Sequence, residues 1–192
     1  MKKILVLVII LFSHISNANT NINENILDYC IKNKYTYCLL INFSEPTSTK
    51  RMKLYDIKNN KIIYSCKCAH GNGKGTKIEA DINSFSNKIG SNKSSLGKYR
   101  IGRKRILYNF NGFDISIFKI PCYELYGLDS SNNNAYKRGI LLHADPLLSD
   151  LSIPISTIHS FGCFSISYSS FRKLSKYIDN NKVLIFAYYN KK

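Results

Sequence analysis

Ser160-Phe161-Gly162-Cys163 sets a thiol directly after a glycine, in a chain with four histidines. A thiol at such a position can attack a carbonyl carbon once a base has made it a thiolate. Gly162 lets the backbone approach a substrate or adopt an unusual φ. Backbone N–H groups around a tight turn can stabilise the resulting oxyanion. His143 is a candidate base, 20 positions before Cys163, at the end of the apolar run Gly139–His143. His159, four residues before the cysteine, and His70, at the head of a glycine-rich loop, compete with it. Spacing does not rank the three. Residue type alone favours a buried structural cysteine or half of a disulfide, because cysteine is among the most buried residues and Phe161 and Phe164 flank this one.

The elements that must hold these residues are mostly short strands. Residues 19–34 have helical spacing of Ile22, Ile26, Leu27, Cys30 and Ile31 and predict a lead-in helix. Tyr35–Phe43, Lys53–Ile57 and Lys61–Cys68 read as strands of an antiparallel meander. Residues 70–97 form a long loop rich in Gly, Ser, Asn and Lys, a composition suited to a surface or site. Its Gly-Asn-Gly-Lys-Gly stretch lacks the spacing of the nucleotide-binding fingerprints. Tyr99–Gly102, Ile106–Phe110 and Asp114–Ile120 are predicted strands, the last two joined by an Asn111-Gly112 turn. Tyr123–Asn134 reads as loop and Gly139–His143 as a strand delivering His143. Ser169–Tyr177 reads as a helix capped by Ser169 or Ser170, and Val183–Tyr188 as a final strand. The expected fold class is mostly β (β-rich α+β), a sandwich or mixed sheet with one or two short helices.

The chain has 192 residues and 44% hydrophobic content, enough for one domain with a real core. Lys2 and Lys3, the apolar run Ile4–Phe12 and the small residues at Ser16 and Ala18 predict a secretory signal at 1–18. That run is short of the roughly 20 residues that span a bilayer. The expected location is therefore periplasmic or secreted, with no membrane span after cleavage. Removing Lys2 and Lys3 lowers the formal charge from +16 to +14. Such a protein is drawn to anionic wall polymers or lipid head groups, and export sets nucleic acid aside. Six cysteines (Cys30, Cys38, Cys66, Cys68, Cys122, Cys163) would allow three disulfides in an oxidising compartment. A reactive Cys163 would leave one of the other five unpaired. No CxxC pair or His cluster points to a metal.

Gly139-Ile-Leu-Leu-His143, sixteen residues, then Ser160-Phe-Gly-Cys163 resembles the signature of the L,D-transpeptidase catalytic domain, closer to its second, murein-type branch. The likeness also takes in Tyr55-Asp56-Ile57, Ala69-His70-Gly71, Ser94–Tyr99, Tyr126–Asp129 and Asn134–Arg138, and covers roughly residues 35–189. It implies a catalytic domain over 35–192, with Cys163 as nucleophile and His143 as general base and later acid. A backbone carbonyl beside His143, or the Ser160 region, would orient the imidazole. Gly162 and Cys163 would supply oxyanion N–H groups, and His70, Tyr99 and Arg138 are the candidate substrate-binding residues. The implied substrate is the peptidoglycan stem peptide, with an acceptor wall protein as a further partner and no cofactor or metal. The implied reaction is 3→3 cross-linking or protein attachment. Trimming of tetrapeptide stems by an L,D-carboxypeptidase and a non-catalytic wall-binding domain of the same fold are the alternatives. The chain departs from the family pattern at Phe161, Phe164 and Ser165, where the branches carry His, Pro, and Arg or Asn.

Overall fold

The computed structural model describes residues 22–71, 73, 84–110, 113–149 and 160–190. The predicted signal at 1–18 and His159 lie outside these residues. Helix α1 (Glu24–Lys32) begins at Asn23, whose side chain accepts from the Asn25 N–H. Ten strands follow: β1 (Tyr37–Asn42), β2 (Met52–Asp56), β3 (Lys61–Cys66), β4 (Gly97–Leu107), β5 (Asn109–Phe110), β6 (Phe113–Asp114), β7 (Ile120–Gly127), β8 (Leu141–Asp145), β9 (Phe164–Ser167) and β10 (Val183–Tyr188). Helix α2 (Tyr168–Ile178) joins the last two.

Eight strands form one mixed sheet in the order β3-β2-β1-β10-β4-β7-β8-β9. β1 pairs with β10, and β8 with β9, in parallel; the other neighbours are antiparallel. The two ends of the sheet meet. Ala69, just past β3, exchanges backbone hydrogen bonds of 2.8 and 3.2 Å with Ser165 of β9. The curled sheet encloses a core of Leu39, Ile41, Leu54, Leu125, Leu142, Phe164, Ile166 and Ile185, onto which α2 packs Phe171, Leu174 and Ile178. Those three positions share one helical face. A second cluster lies under α1, where Ile26 and Cys30 meet Cys38, Leu40, Tyr55 and Leu184. Every residue of β8 is buried, so both of its faces are covered and its sequence is apolar except where His143 and Asp145 stand.

The mostly β class with two short helices is borne out, and several boundaries differ. The predicted strands at 99–102 and 106–110 are largely one strand, β4, kept continuous through Gly102 by a register shift against β7 between Ile101 and Lys104. Tyr123–Asn134, expected as loop, begins as strand: β7 runs to Gly127, and Cys122–Leu125 are all buried between β4 and β8. Residues 114–120 are a short 3-10 turn between strand ends. The cap of α2 is Ser167, which accepts from the Ser170 N–H at 3.1 Å, rather than Ser169 or Ser170. Among the described residues no helix is long and apolar enough to cross a membrane.

Candidate active site

β8 and β9 lie side by side in parallel, with His143 opposite Ser165 and Leu142 opposite Phe164. Alternation sends Leu142 and Phe164 into the core and puts His143 and Ser165 together on the other face. Cys163 immediately precedes β9, two residues before Ser165. Its turn is made by Gly162, whose φ of +114° suits glycine. The Cys163 Sγ accepts from the Leu141 N–H of β8 at 3.4 Å and points its own hydrogen toward the Gly139 carbonyl at 3.6 Å.

The His143 ring is oriented from behind. Its Nδ1 lies 2.7 Å from the Ala144 carbonyl, which can only accept, so Nδ1 carries the proton. In the neutral ring Nε2 is then an acceptor, and the Ser165 hydroxyl donates to it at 2.9 Å. Burial lowers the His143 pKa below 6.5, opposed by the Ala144 hydrogen bond and by Asp145. Burial also pushes the Cys163 thiol up to about 11, against the Leu141 N–H and Arg138, which favour the thiolate. No hydrogen bond joins Cys163 to His143. The resting pair is thus a neutral thiol and a neutral imidazole, with the base lone pair occupied by Ser165.

Ser160 shapes the turn. It is buried, its hydroxyl donates to the Cys163 carbonyl at 2.6 Å, and its oxygen receives the Gly162 N–H at 3.2 Å. The imidazole is therefore oriented by the Ala144 carbonyl and not by Ser160. Gly162 N–H is engaged at rest by the Ser160 hydroxyl, while the Cys163 N–H has no partner among the described residues.

Of the three candidate substrate-binding residues, Arg138 stands beside the nucleophile turn and favours the Cys163 thiolate electrostatically. Its guanidinium fastens the 86–95 segment, donating to the Ser86 carbonyl at 2.7 Å, to the Ser91 hydroxyl at 3.2 Å and to the Lys93 carbonyl. It also lies 3.2 Å from where a Gly162 Cβ would stand. Tyr99 is fully buried, its hydroxyl donating to the Ser95 carbonyl at 2.7 Å and its ring edge-on to Phe164. His70 is buried too, its ring centroid 4.8 Å from Phe43 and its Nδ1 receiving Arg51 Nη2 at 2.8 Å. Both side chains are thus packed into the protein interior.

Sequence reasoning passed over Ser94. It is fully buried, accepts from the Gly71 N–H at 3.0 Å and donates to the Gly162 carbonyl at 2.9 Å, so it ties two glycine segments together beside the nucleophile. The only signal was its place in the Ser94–Tyr99 segment. Ser165 was noted as a departure, without its role on His143. Among the described residues no three His, Cys, Asp or Glu side chains are grouped to hold a metal.

The geometry makes a labelling prediction. Cys163 is half-exposed, whereas Cys30, Cys38, Cys66, Cys68 and Cys122 are buried. Brief treatment of the native protein with iodoacetamide, followed by peptide mapping, modifies Cys163 first. With a thiol poised at about 11, its rate rises about tenfold per pH unit through the neutral range. A plateau reached below pH 7 would instead reveal a standing thiolate–imidazolium pair.

The sequence matches the family model of the L,D-transpeptidase catalytic domain over residues 12–188. No curated protein sequence matches. The fold is similar to that of the helical cell shape determining protein Pgp2 from Campylobacter jejuni, solved as its K307A mutant. That match has a TM-score of 0.54 and 15% identity, and covers 82% of this chain and 48% of that one. An L,D-transpeptidase from Stackebrandtia nassauensis is also similar, at a TM-score of 0.47 and 14% identity, over 82% of this chain and 58% of that one. The chain thus spans about half the length of the solved structures it matches.

Proposed function

Because the chain belongs to the L,D-transpeptidase catalytic-domain family, we propose that it is an exported acyltransferase acting on peptidoglycan stem peptides through Cys163. The observation that carries this reading is the half-exposed Cys163 thiol on the Gly162 turn, one strand from an imidazole whose Nδ1–H is held by the Ala144 carbonyl. The reacting carbonyl is the one following the third-position diamino acid of the stem.

His143 Nε2 takes the thiol proton, and sulfur forms a bond to that carbonyl carbon. Ser165 must release Nε2, or pass the proton on, for this step. The carbonyl oxygen becomes an oxyanion facing the Cys163 N–H. Collapse breaks the peptide bond, and the imidazolium protonates the departing amine of the terminal D-amino acid. The acyl group stays on sulfur as a thioester. An amine from another stem or a wall protein then takes it, giving a 3→3 cross-link or an attached protein. Water in the same role gives a trimmed stem.

His143 works as base only while neutral, and burial holds its pKa below 6.5. Activity therefore falls on the acid side only below pH 6.5. Incubation of enzyme and disaccharide-tetrapeptide with and without excess amine acceptor separates the two fates. Transfer gives a product carrying the amine; tripeptide alone, whatever the acceptor concentration, would assign the carboxypeptidase reaction.

A further inference from the structure

The sheet carries a second concavity that shares no residue with the surroundings of Cys163. A cavity of about 440 Å³ is lined by Tyr35, Arg100, Gly102, Lys104, Tyr123 and Lys182, with Asp179 at its wall. It opens where β4 and β7 lose register between Ile101 and Lys104. Widening at such a bulge leaves room beside the strand.

Three cations surround the opening, each seated against an aromatic ring. Arg100 Cζ stands 4.1 Å from the Tyr126 ring centre, Lys182 Nζ 4.7 Å from Tyr35 and Lys104 Nζ 5.5 Å from Tyr123. Such seating fixes long side chains before a ligand arrives. Lys182 is fastened further, donating to the Asn33 carbonyl at 2.6 Å. The one carboxylate of the lining, Asp179, is already engaged. Its Oδ2 pairs with Lys104 at 2.6 Å, and its Oδ1 accepts from the Tyr123 hydroxyl. Nearby Glu124 does not line the cavity and pairs with Arg105 at 3.4 Å. Arg100 is exposed, and its side chain donates no hydrogen bond to any described residue. Three positive charges against one negative leave an excess of two on one opening.

We propose that this cavity binds a phosphate monoester, with Arg100 and Lys182 as its principal contacts. A phosphate monoester carries between one and two negative charges at neutral pH and offers three acceptor oxygens. Arg100 can meet two of them with its planar fork. The phosphate belongs either to a small soluble ester or to a lipid head group, and both sources present the same chemistry. The site is independent of the Cys163 chemistry.

Calorimetric titration of the purified chain with glycerol 3-phosphate tests the proposal, beside co-sedimentation with phosphatidylcholine vesicles containing phosphatidic acid. Saturable binding of the soluble ester is expected if the source is soluble, and of the vesicles alone if it is lipid. Arg100→Gln and Lys182→Gln each weaken whichever binding is seen by about tenfold, the value of one charge-assisted hydrogen bond. Lys173→Gln, a change on α2 beside Tyr64, leaves it unaltered. Arg100→Gln breaks no internal hydrogen bond, so its result is not confounded by unfolding. No saturable binding in either arm overturns the site. Equal weakening by Lys173→Gln also overturns it, because diffuse surface charge would then be the cause.

Discussion

Cys163→Ala removes turnover of a tetrapeptide stem by at least about 10⁴-fold, the scale of deleting a covalent nucleophile. His143 and Ser165 are not expected to replace it, since both are buried and hydrogen-bonded to each other while the thiol is half-exposed. The fold is unaffected. Cys163 is half-exposed, and its sulfur receives one hydrogen bond, the long one from the Leu141 N–H at 3.4 Å. The expected change in unfolding free energy is within about 1 kcal/mol. Thermal unfolding beside a mass-spectrometric turnover assay separates the two quantities. Retained turnover in Cys163→Ala would move the chemistry elsewhere.

Gly71→Ala is the second large effect, and it acts from outside the reacting groups. A Cβ at Gly71 would lie 2.2 Å from the Gly162 nitrogen and 2.5 Å from the Asn92 carbonyl oxygen. Both obstacles are backbone, so no side chain can step aside. Ser94 holds Gly71 and Gly162 to each other, and the displacement is therefore passed to the nucleophile turn. A shift of about 1 Å in a reacting group costs on the order of 10²-fold in rate. Forced overpacking costs about 1–3 kcal/mol of stability. The check is turnover and thermal midpoint together. Wild-type turnover in Gly71→Ala would show that the two segments are not in contact.

What could be read in advance followed from local pattern. β1, β8 and β10 are apolar runs bounded by turn residues, and α2 shows its Phe171, Leu174 and Ile178 face plainly. β7 is hard to see locally because Pro121 near its start and Gly127 at its end are residues disfavoured in strands. Pairing with both β4 and β8 overrides that local preference. At the site, the Gly162-Cys163 pair and His143 were legible by type and order. The support was not. Ser94 reaches across 68 positions to Gly162, and the Ser165 hydroxyl reaches across 22 to His143. Contacts at such separations depend on strand order, which no local spacing encodes. Tyr99 and His70 belong to the same ordered set of segments as the nucleophile. Both are buried, so membership of that set does not by itself mark an exposed side chain.

The most direct test of the central claim is an incubation of the chain with disaccharide-tetrapeptide, quenched in acid and read by mass spectrometry of substrate and protein together. Loss of the stem's terminal residue is expected, with a protein mass raised by the disaccharide-tripeptide acyl group that maps to the Cys163 peptide. An unchanged substrate and unmodified protein, from material whose Cys163 still reacts with iodoacetamide, would contradict it and leave a wall-binding domain of the same fold.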